Sequence, residues 1–442
     1  MSFETLGLAP ALLRALAENN YTTPTPIQEQ AIPLILAGHD VLGGAQTGTG
    51  KTAAFALPVL NRLSKVTPPA GPRKPRTLVL VPTRELAVQV ADSFKTYGRH
   101  LKLNVTTLFG GVGMQPQVEQ LRRGVDVLVA CPGRLIDHLD RGSVKLDAVE
   151  VLILDEADRM LDMGFLPAIK RVLNRLPKER QTLLFSATFE AQIKALALEF
   201  MRNPQQVQVA AQNTVVDTIT HRAHPVDGSR KRDLLIQILS QRHTDQVLVF
   251  GKTKHGCNRL AEQLEEAGLP TVAIHGNKSQ AARQKALKDF KSGKARILVA
   301  TDVAARGLDI PDLPLVINHD LPMVAEDYVH RIGRTGRNGA QGEALTLVSP
   351  EEGGLLRQIQ RLLKMDLVMD VVPGFAPSKP IRLDTPIPKN GGGGGQRAPS
   401  RPAARGHARP AARPTTHAGP KQHRTGGQGA YAGKRDSRGT RA

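Results

Sequence analysis

The sequence has no tryptophan, only 3% aromatic residues, and just two cysteines, Cys131 and Cys257, in 442 residues. So few rings argue against a broad aromatic platform for stacking bases. Two cysteines cannot build a disulfide framework or a cysteine-based zinc site. They point to a reducing compartment, where each thiol packs as a small buried group. Met1 to Asn20 carries acids and a single arginine without a long apolar core, unlike a secretory leader. No apolar run reaches the ~20 residues of a membrane-spanning helix. These absences set the expectation of a soluble, cytoplasmic protein with no membrane partner.

Positive charge, by contrast, is plentiful and uneven. The net charge is +20, and Lys389 to Ala442 holds twelve Lys or Arg against one acid, Asp436, leaving +9 on the 388 residues before it. Such an excess favours polyanionic partners through counterion release, although it also serves solubility.

The chain is too long for one ordinary core, so two domains are expected, and its texture divides accordingly. Residues 1–210 alternate short apolar runs with helix-like stretches, and residues 221–372 repeat that texture. Residues 211–220 between them are polar and aperiodic, as suits a linker. From Pro373 to Ala442, Gly, Pro, Ala and Arg dominate, a composition that predicts a disordered basic tail.

The apolar runs are short, unalternating and rich in Val, Ile and Leu, the pattern of parallel strands buried on both faces. In the first region they are Val41-Leu42, Leu78 to Val81, Thr107 to Phe109, Val127 to Ala130, Val151 to Leu154 and Leu183 to Phe185. In the second they are Val247 to Phe250, Val272 to Ile274, Ile297 to Ala300, Leu315 to Ile317 and Leu345 to Val348. Nearly every run ends in a polar or glycine-containing cluster. Open α/β sheets bind ligands at the carboxyl ends of their strands, so these clusters collect along one edge of each sheet. The expected fold is α/β, with two doubly wound parallel-sheet domains facing each other across a cleft.

One cluster is a phosphate loop. Ala45-Gln46-Thr47-Gly48-Thr49-Gly50-Lys51-Thr52 follows the strand Val41-Leu42 and precedes a helical stretch. Its glycines let backbone N–H groups turn onto phosphate oxygens, and the helix N-terminus adds a favourable dipole. Lys51 would reach the β- and γ-phosphates of a nucleoside triphosphate, and the Thr52 hydroxyl would bind Mg²⁺. Ala45 stands where the usual first glycine would be, with Gly44 just before it. The second half of the site is Asp155-Glu156 after the strand Val151 to Leu154. A carboxylate buried at a strand end needs a cation, which Asp155 would meet through Mg²⁺, while Glu156 is placed to orient and deprotonate water.

Asp155-Glu156-Ala157-Asp158 spells DEAD, and here the chain resembles the DEAD-box RNA helicases. Phe3 and Thr23-Pro24-Thr25-Pro26-Ile27-Gln28 resemble that family's adenine-recognition motif, which implies that Gln28 reads the adenine edge and Phe3 helps cover the ring, an N-terminal hydrophobic anchor being the other reading of Phe3. Pro82-Thr83-Arg84-Glu85-Leu86-Ala87, Gly110-Gly111 and Pro132-Gly133-Arg134 resemble its RNA-facing elements. Arg and Thr donate to phosphate oxygens, and glycine admits a close backbone approach. Cys131 replaces the family's usual Thr and loses a hydroxyl donor. Ser186-Ala187-Thr188 resembles the motif that couples nucleotide state to RNA binding, through hydrogen bonds near Asp158.

In the second region, Phe250 to Lys254, His275-Gly276, Gln280 with Arg283, Thr301 to Asp309 and His330 to Arg337 follow the family pattern in order. The resemblance implies two tandem RecA-like domains. It also implies that Arg334 and Arg337 reach the γ-phosphate as arginine fingers and that Asp309 touches the ribose. Thr253, Arg283 and Thr301 would hold RNA, Gly307 would lie beside both nucleotide and RNA, and His330 would join the coupling set. Arg331 alone is as well explained as part of an ordinary solvated face. The short front end and Gly/Arg-rich tail resemble the bacterial RhlE-type subgroup.

The expected function is thus ATP-dependent RNA unwinding by cleft closure, with ATP and Mg²⁺, on structured RNA without sequence preference, by a monomer. Ribosomal or mRNA-decay proteins are the expected partner classes. The alternatives are an ATP-gated RNA clamp or annealing chaperone, and a DNA translocase.

Overall fold

The computed structural model describes residues 2–45, 48–66, 73–189, 191–209, 219–242, 246–305, 308, 310, 313–336 and 341–385. Residues 1–389 form one compact unit that contains two seven-stranded sheets. The first sheet comprises β1 (Val41–Gly44), β2 (Thr77–Leu80), β3 (Val105–Leu108), β4 (Val127–Ala130), β5 (Val151–Leu154), β6 (Gln181–Ser186) and β7 (Gln205–Gln208), in the order β3-β4-β2-β5-β6-β1-β7. The second comprises β8 (Ile219–Pro225), β9 (Val247–Phe250), β10 (Thr271–Ile274), β11 (Ile297–Ala300), β12 (Leu315–Asn318), β13 (Gly342–Val348) and β14 (Val368–Met369), in the order β10-β11-β9-β12-β13-β8-β14. All pairings are parallel, so the two sheets share one topology.

Burial on both faces explains the unalternating strands. Successive side chains point to opposite faces. Val79 joins one core cluster with Val129 and Ile153, while Leu78 and Leu80 join a second with Leu128 and Leu152. In the second sheet Val247 and Val249 face one cluster, and Leu248 and Phe250 the other. Each face needs an apolar residue, so each strand reads as a continuous run. Helices cover both faces, which places every βα turn at an edge.

Three strands escape the apolar pattern. β7 (Gln-Gln-Val-Gln) buries only Val207, and β14 is two exposed residues on the opposite sheet's edge. β8 is polar in sequence yet pairs over seven residues with β13, in register from Ile219 with Gly342 to Pro225 with Val348. The expected linker therefore ends earlier than Thr220, because Ile219 and Thr220 already belong to β8; residues 210–218 lie outside the described residues.

The tail expectation is corrected at its start. Residues 373–385 are packed, not free. Phe375 is buried under the Arg230 guanidinium at 4.5 Å, and Ile381 packs on the cluster around Tyr328. The Asp227 carboxylate accepts from the Ser378 N–H at 3.0 Å and from its hydroxyl at 2.9 Å. A few well-placed apolar residues outweigh the disorder-prone composition here. Residues 386–442 lie outside the described residues.

Candidate nucleotide and RNA site

The phosphate loop leaves β1 at its carboxyl end, where Gly43 and Gly44 lie so close to the Phe185 and Phe189 rings that a Cβ would be 2.5 and 2.6 Å from them. Ala45 donates its N–H to the Ser186 carbonyl, so absence of the usual glycine does not disturb the exit from the sheet. Gly48 and Gly50 have φ near +90°, a region that favours glycine. At Gly50 a Cβ would also stand 2.3 Å from the Gln28 amide nitrogen. The helix Lys51–Lys65 starts directly on Lys51. Lys51 is buried, and its ammonium has no hydrogen-bond partner among the described residues. An unpartnered buried cation is costly, which fits a site built to receive anionic oxygens.

Asp155 and Glu156 follow β5 and are both buried. Burial pushes the Asp155 carboxyl up to about 7 against the pull of the Lys51 ammonium, with the Glu156 charge adding to the rise. The Glu156 N–H donates to Asp155 Oδ1 at 3.0 Å. Glu156 has φ +52°, a left-handed conformation that costs a branched-free acid about 1–3 kcal/mol and turns the chain sharply at the strand end. Its carboxylate lies 3.4 Å from the Arg159 guanidinium. Two buried carboxylates side by side at a strand end suit a cation, the group expected on Asp155 and Thr52.

Asp158 joins this edge to the next strand. Its Oδ2 accepts from the N–H groups of Ala187 at 2.9 Å and Thr188 at 3.1 Å, and the Ser186 hydroxyl oxygen lies 3.3 Å from the Thr188 nitrogen. A cavity of about 560 Å³ is lined by Lys51, Glu156, Asp158 and Thr188 from the first sheet's side. Glu326, Asp327 and His330 line it from the second. His330 thus lines the same cavity as Lys51 and Glu156.

Other expected nucleotide residues stand differently. Gln28 is buried; its Oε1 accepts from the Thr25 N–H at 2.9 Å and its Nε2 donates to the Gly50 carbonyl at 3.0 Å. One amide hydrogen and one lone pair remain for a base edge. For Phe3 the anchor reading is the one the packing favours: it is 5% exposed and belongs to the core cluster with Leu6, Leu12 and Ile27. Arg334 is engaged within its own half. It is buried and donates to the Leu308 carbonyl at 2.8 Å, and it is not among the side chains lining the cavity. Arg331 proves structural: its guanidinium grips Asp302 at 2.5 and 2.7 Å, donates to Asn318 and the Asp320 carbonyl, and lies over the Phe250 ring. Gln46, Thr47, Gly307, Asp309 and Arg337 lie outside the described residues.

The residues of the first sheet expected to face RNA are gathered in one place. Thr83 caps the helix Arg84–Tyr97 by accepting from the Leu86 N–H. The Arg84 guanidinium lies on Gly111, where a Cβ would come within 2.0 Å of it, and beside Gly110. Arg134, on the helix Pro132–Asp140 with Pro132 and Gly133, donates both terminal nitrogens to the Val112 carbonyl at 3.1 Å. Cys131 precedes that helix without capping it, and burial pushes its thiol up to about 12.

On the second sheet's side, Thr253 caps the helix Lys254–Glu266 through the Gly256 N–H at 2.9 Å. Thr301 follows β11, its carbonyl accepting from Ala304 and Ala305. Arg283 is tied across to the first sheet's side: Glu85 takes Arg283 Nη2 at 2.9 Å on one oxygen and Gln280 Nε2 at 3.0 Å on the other. Sequence reasoning missed this clamp as a contact, though it named all three residues. It also missed Gln117 and His138, which carry no motif.

Residues 25–196 match the DEAD/DEAH box helicase family, and residues 230–339 match the helicase conserved C-terminal domain. The ATP-dependent RNA helicase CshA of Limosilactobacillus reuteri is 41% identical over 83% of this chain and 73% of its own length. The chain belongs to the DEAD-box helicases. Another relative in this helicase family, the ATP-dependent RNA helicase DeaD of Klebsiella pneumoniae, is 44% identical over 83% of this chain and 56% of its own length. The chain thus spans between about half and three quarters of these helicases. Among solved structures, S. cerevisiae Dbp5 bound to RNA and ADP BeF3 has a TM-score of 0.73 at 32% identity, over 85% of this chain and 95% of that one. The two sheets are accordingly tandem RecA-like domains. Among the described residues no helix is long and apolar enough to cross a membrane.

Proposed function

We propose that this chain is an RNA-stimulated ATPase that unwinds or remodels short RNA duplexes by closing the cleft between its two sheets. The carrying observation is the cavity in which the unpartnered Lys51 ammonium and Glu156 face His330 of the other sheet. Lys51 balances charge on the β- and γ-phosphates of ATP. Glu156 accepts a proton from water as its oxygen bonds to the γ-phosphorus and the bond to the bridging oxygen breaks. Mg²⁺, held by Asp155 and Thr52, would neutralise phosphate charge when bound. Gln28 holds Gly50 while offering its spare donor and acceptor to adenine. Arg334 must leave the Leu308 carbonyl to reach the phosphates, as must Arg337 come to them, so hydrolysis depends on rearrangement of the second sheet's edge.

RNA would cross the surface of Arg84, Gly110, Gly111 and Arg134 and continue to Thr253, Arg283 and Thr301. Binding across both sheets favours the closed form, so ATP and RNA affinities are linked. The residues after Lys389 supply further non-specific RNA affinity. Their Gly/Arg-rich composition supports an RhlE-type subgroup, within a family whose named relatives here are DeaD and CshA. A cytoplasmic monomer working with ribosomal or mRNA-decay proteins completes the reading.

Phosphate release should rise severalfold or more with single-stranded RNA, and short RNA duplexes should separate in an ATP-dependent way. Equal stimulation by single-stranded DNA would instead favour a DNA translocase. RNA binding gated by ATP without turnover would favour a clamp.

A further inference from the structure

The helix Met114–Arg122 has one fully buried residue, and it is polar: Gln117, 5% exposed. A side chain buried there for packing alone would be apolar, so its hydrogen bonds are what it is buried for. Gln117 Nε2 donates to the Phe109 carbonyl at 2.9 Å. Its Oε1 accepts from Arg134 Nη1 at 3.2 Å and faces His138 Nε2 at 3.0 Å. A carbonyl can only accept, so Phe109 fixes which end of the amide is which. His138 must then donate from Nε2, and in the neutral ring Nδ1 is left as an acceptor 2.7 Å from the Ser143 hydroxyl, whose one hydrogen also has the His138 carbonyl within reach at 3.1 Å. His138 is fully buried, and burial lowers its pKa, which suits the neutral ring this arrangement needs.

The contacts close a ring. Gln117 holds Phe109, Arg134 holds Val112, and Gln117 holds Arg134. Enclosed between the two held carbonyls are Gly110 and Gly111, which by themselves have the least conformational restraint in the chain. We propose that Gln117, backed by His138 and Ser143, is a positioning residue that locks the Gly110-Gly111 loop and Arg134 into one RNA-ready geometry. This rests on the reading of those residues as RNA-facing. Preorganised groups bind without an ordering cost at the moment of contact, so the lock acts on RNA affinity.

The test is RNA-stimulated ATP hydrolysis by the full chain carrying Gln117→Leu, Gln117→Glu, Arg134→Ala or the Gln117→Leu/Arg134→Ala pair, with thermal unfolding of each. Gln117→Leu should raise the RNA concentration for half-stimulation on the order of tenfold, with turnover at saturating RNA changed by less than about twofold. Gln117→Glu keeps an acceptor for Arg134 and His138, so it should recover part of the loss. It also supplies a second reading if the leucine variant does not fold. The double variant should be little worse than Arg134→Ala alone, because both break the same ring. Parent-like RNA dependence in folded Gln117→Leu and Gln117→Glu, or additive losses in the pair, overturns the inference while leaving the RNA-facing reading intact. If RNA does not stimulate the parent, or Arg134→Ala leaves its RNA dependence unchanged, the underlying reading falls and takes this inference with it.

Discussion

The two sheets have the same strand order, and in each the helix after the first strand begins on a buried lysine. After β1 it is Lys51, whose ammonium has no hydrogen-bond partner among the described residues. After β8 it is Lys231, whose ammonium donates to the His319 carbonyl at 2.9 Å and to Glu352 at 2.5 Å. The approach differs too: a loop with Gly48 and Gly50 at positive φ in one case, a short 3-10 turn over Gly228–Arg230 in the other. Topology alone therefore does not make a phosphate site. One sheet leaves its lysine open to a ligand, and the other spends the same position on holding itself together. Elsewhere the halves agree: Thr83 and Thr253, each after the second strand of its sheet, both cap the next helix. This agreement suits two halves proposed to grip one polymer, while only one of them carries a phosphate loop.

The comparison can be broken at several points. The largest effect is expected for Glu156→Gln, which keeps shape but removes the base. ATP turnover should fall about 10²–10⁴-fold with Mg·ATP binding retained, as read by phosphate release and equilibrium titration. Near-normal turnover would remove Glu156 from that role. Lys51→Ala should lower turnover about 10²–10³-fold and weaken nucleotide binding, with no hydrogen bond lost from the ligand-free fold. Lys231→Met should act oppositely. It takes the cation from Glu352, 14% exposed at its side chain, which keeps the N–H groups of Ser349 and Leu321, and should cost up to about 3 kcal/mol in urea unfolding while sparing nucleotide affinity.

The smallest effect concerns the helix Pro132–Asp140, which starts at Cys131 without a side-chain cap, whereas Thr83 and Thr253 cap theirs. Cys131→Thr should add about 0.5–1 kcal/mol of stability by supplying one, measured by the same unfolding curves. A loss of stability would mean that the buried thiol's packing outweighs the cap.

How much of this was legible follows from the same physics. β2, β4, β5, β9, β11 and β12 announce themselves because burial on both faces favours an apolar residue at nearly every position, Thr77 and Asn318 being the exceptions. β7 and β14 do not, because edge strands bury little, and β8 hides behind His221, Arg222 and His224 although its backbone pairs fully with β13. The chemistry of the phosphate loop and of Asp155-Glu156 was readable because those residue types are expensive without a ligand. Orientation was not. Nothing in the spacing of Arg334 tells that it lies on the Leu308 carbonyl, or that Phe3 is consumed by the core. Composition misjudged residues 373–385, since a single Phe375 under Arg230 and the Asp227 cap on Ser378 fix a segment whose Gly and Pro content predicts disorder. Gln117 was invisible because one of three glutamines on a polar helix looks as exposed as Gln115 and Gln120 beside it.

The central claim is that the open lysine, not the shared topology, makes the nucleotide site. Calorimetric titration of Mg·ATP onto folded Lys51→Ala and Lys231→Met tests it most directly. The account predicts at least a tenfold loss of affinity for Lys51→Ala and a value within about twofold of the parent for Lys231→Met. Parent-like binding by Lys51→Ala, or a comparable loss in folded Lys231→Met, would contradict it.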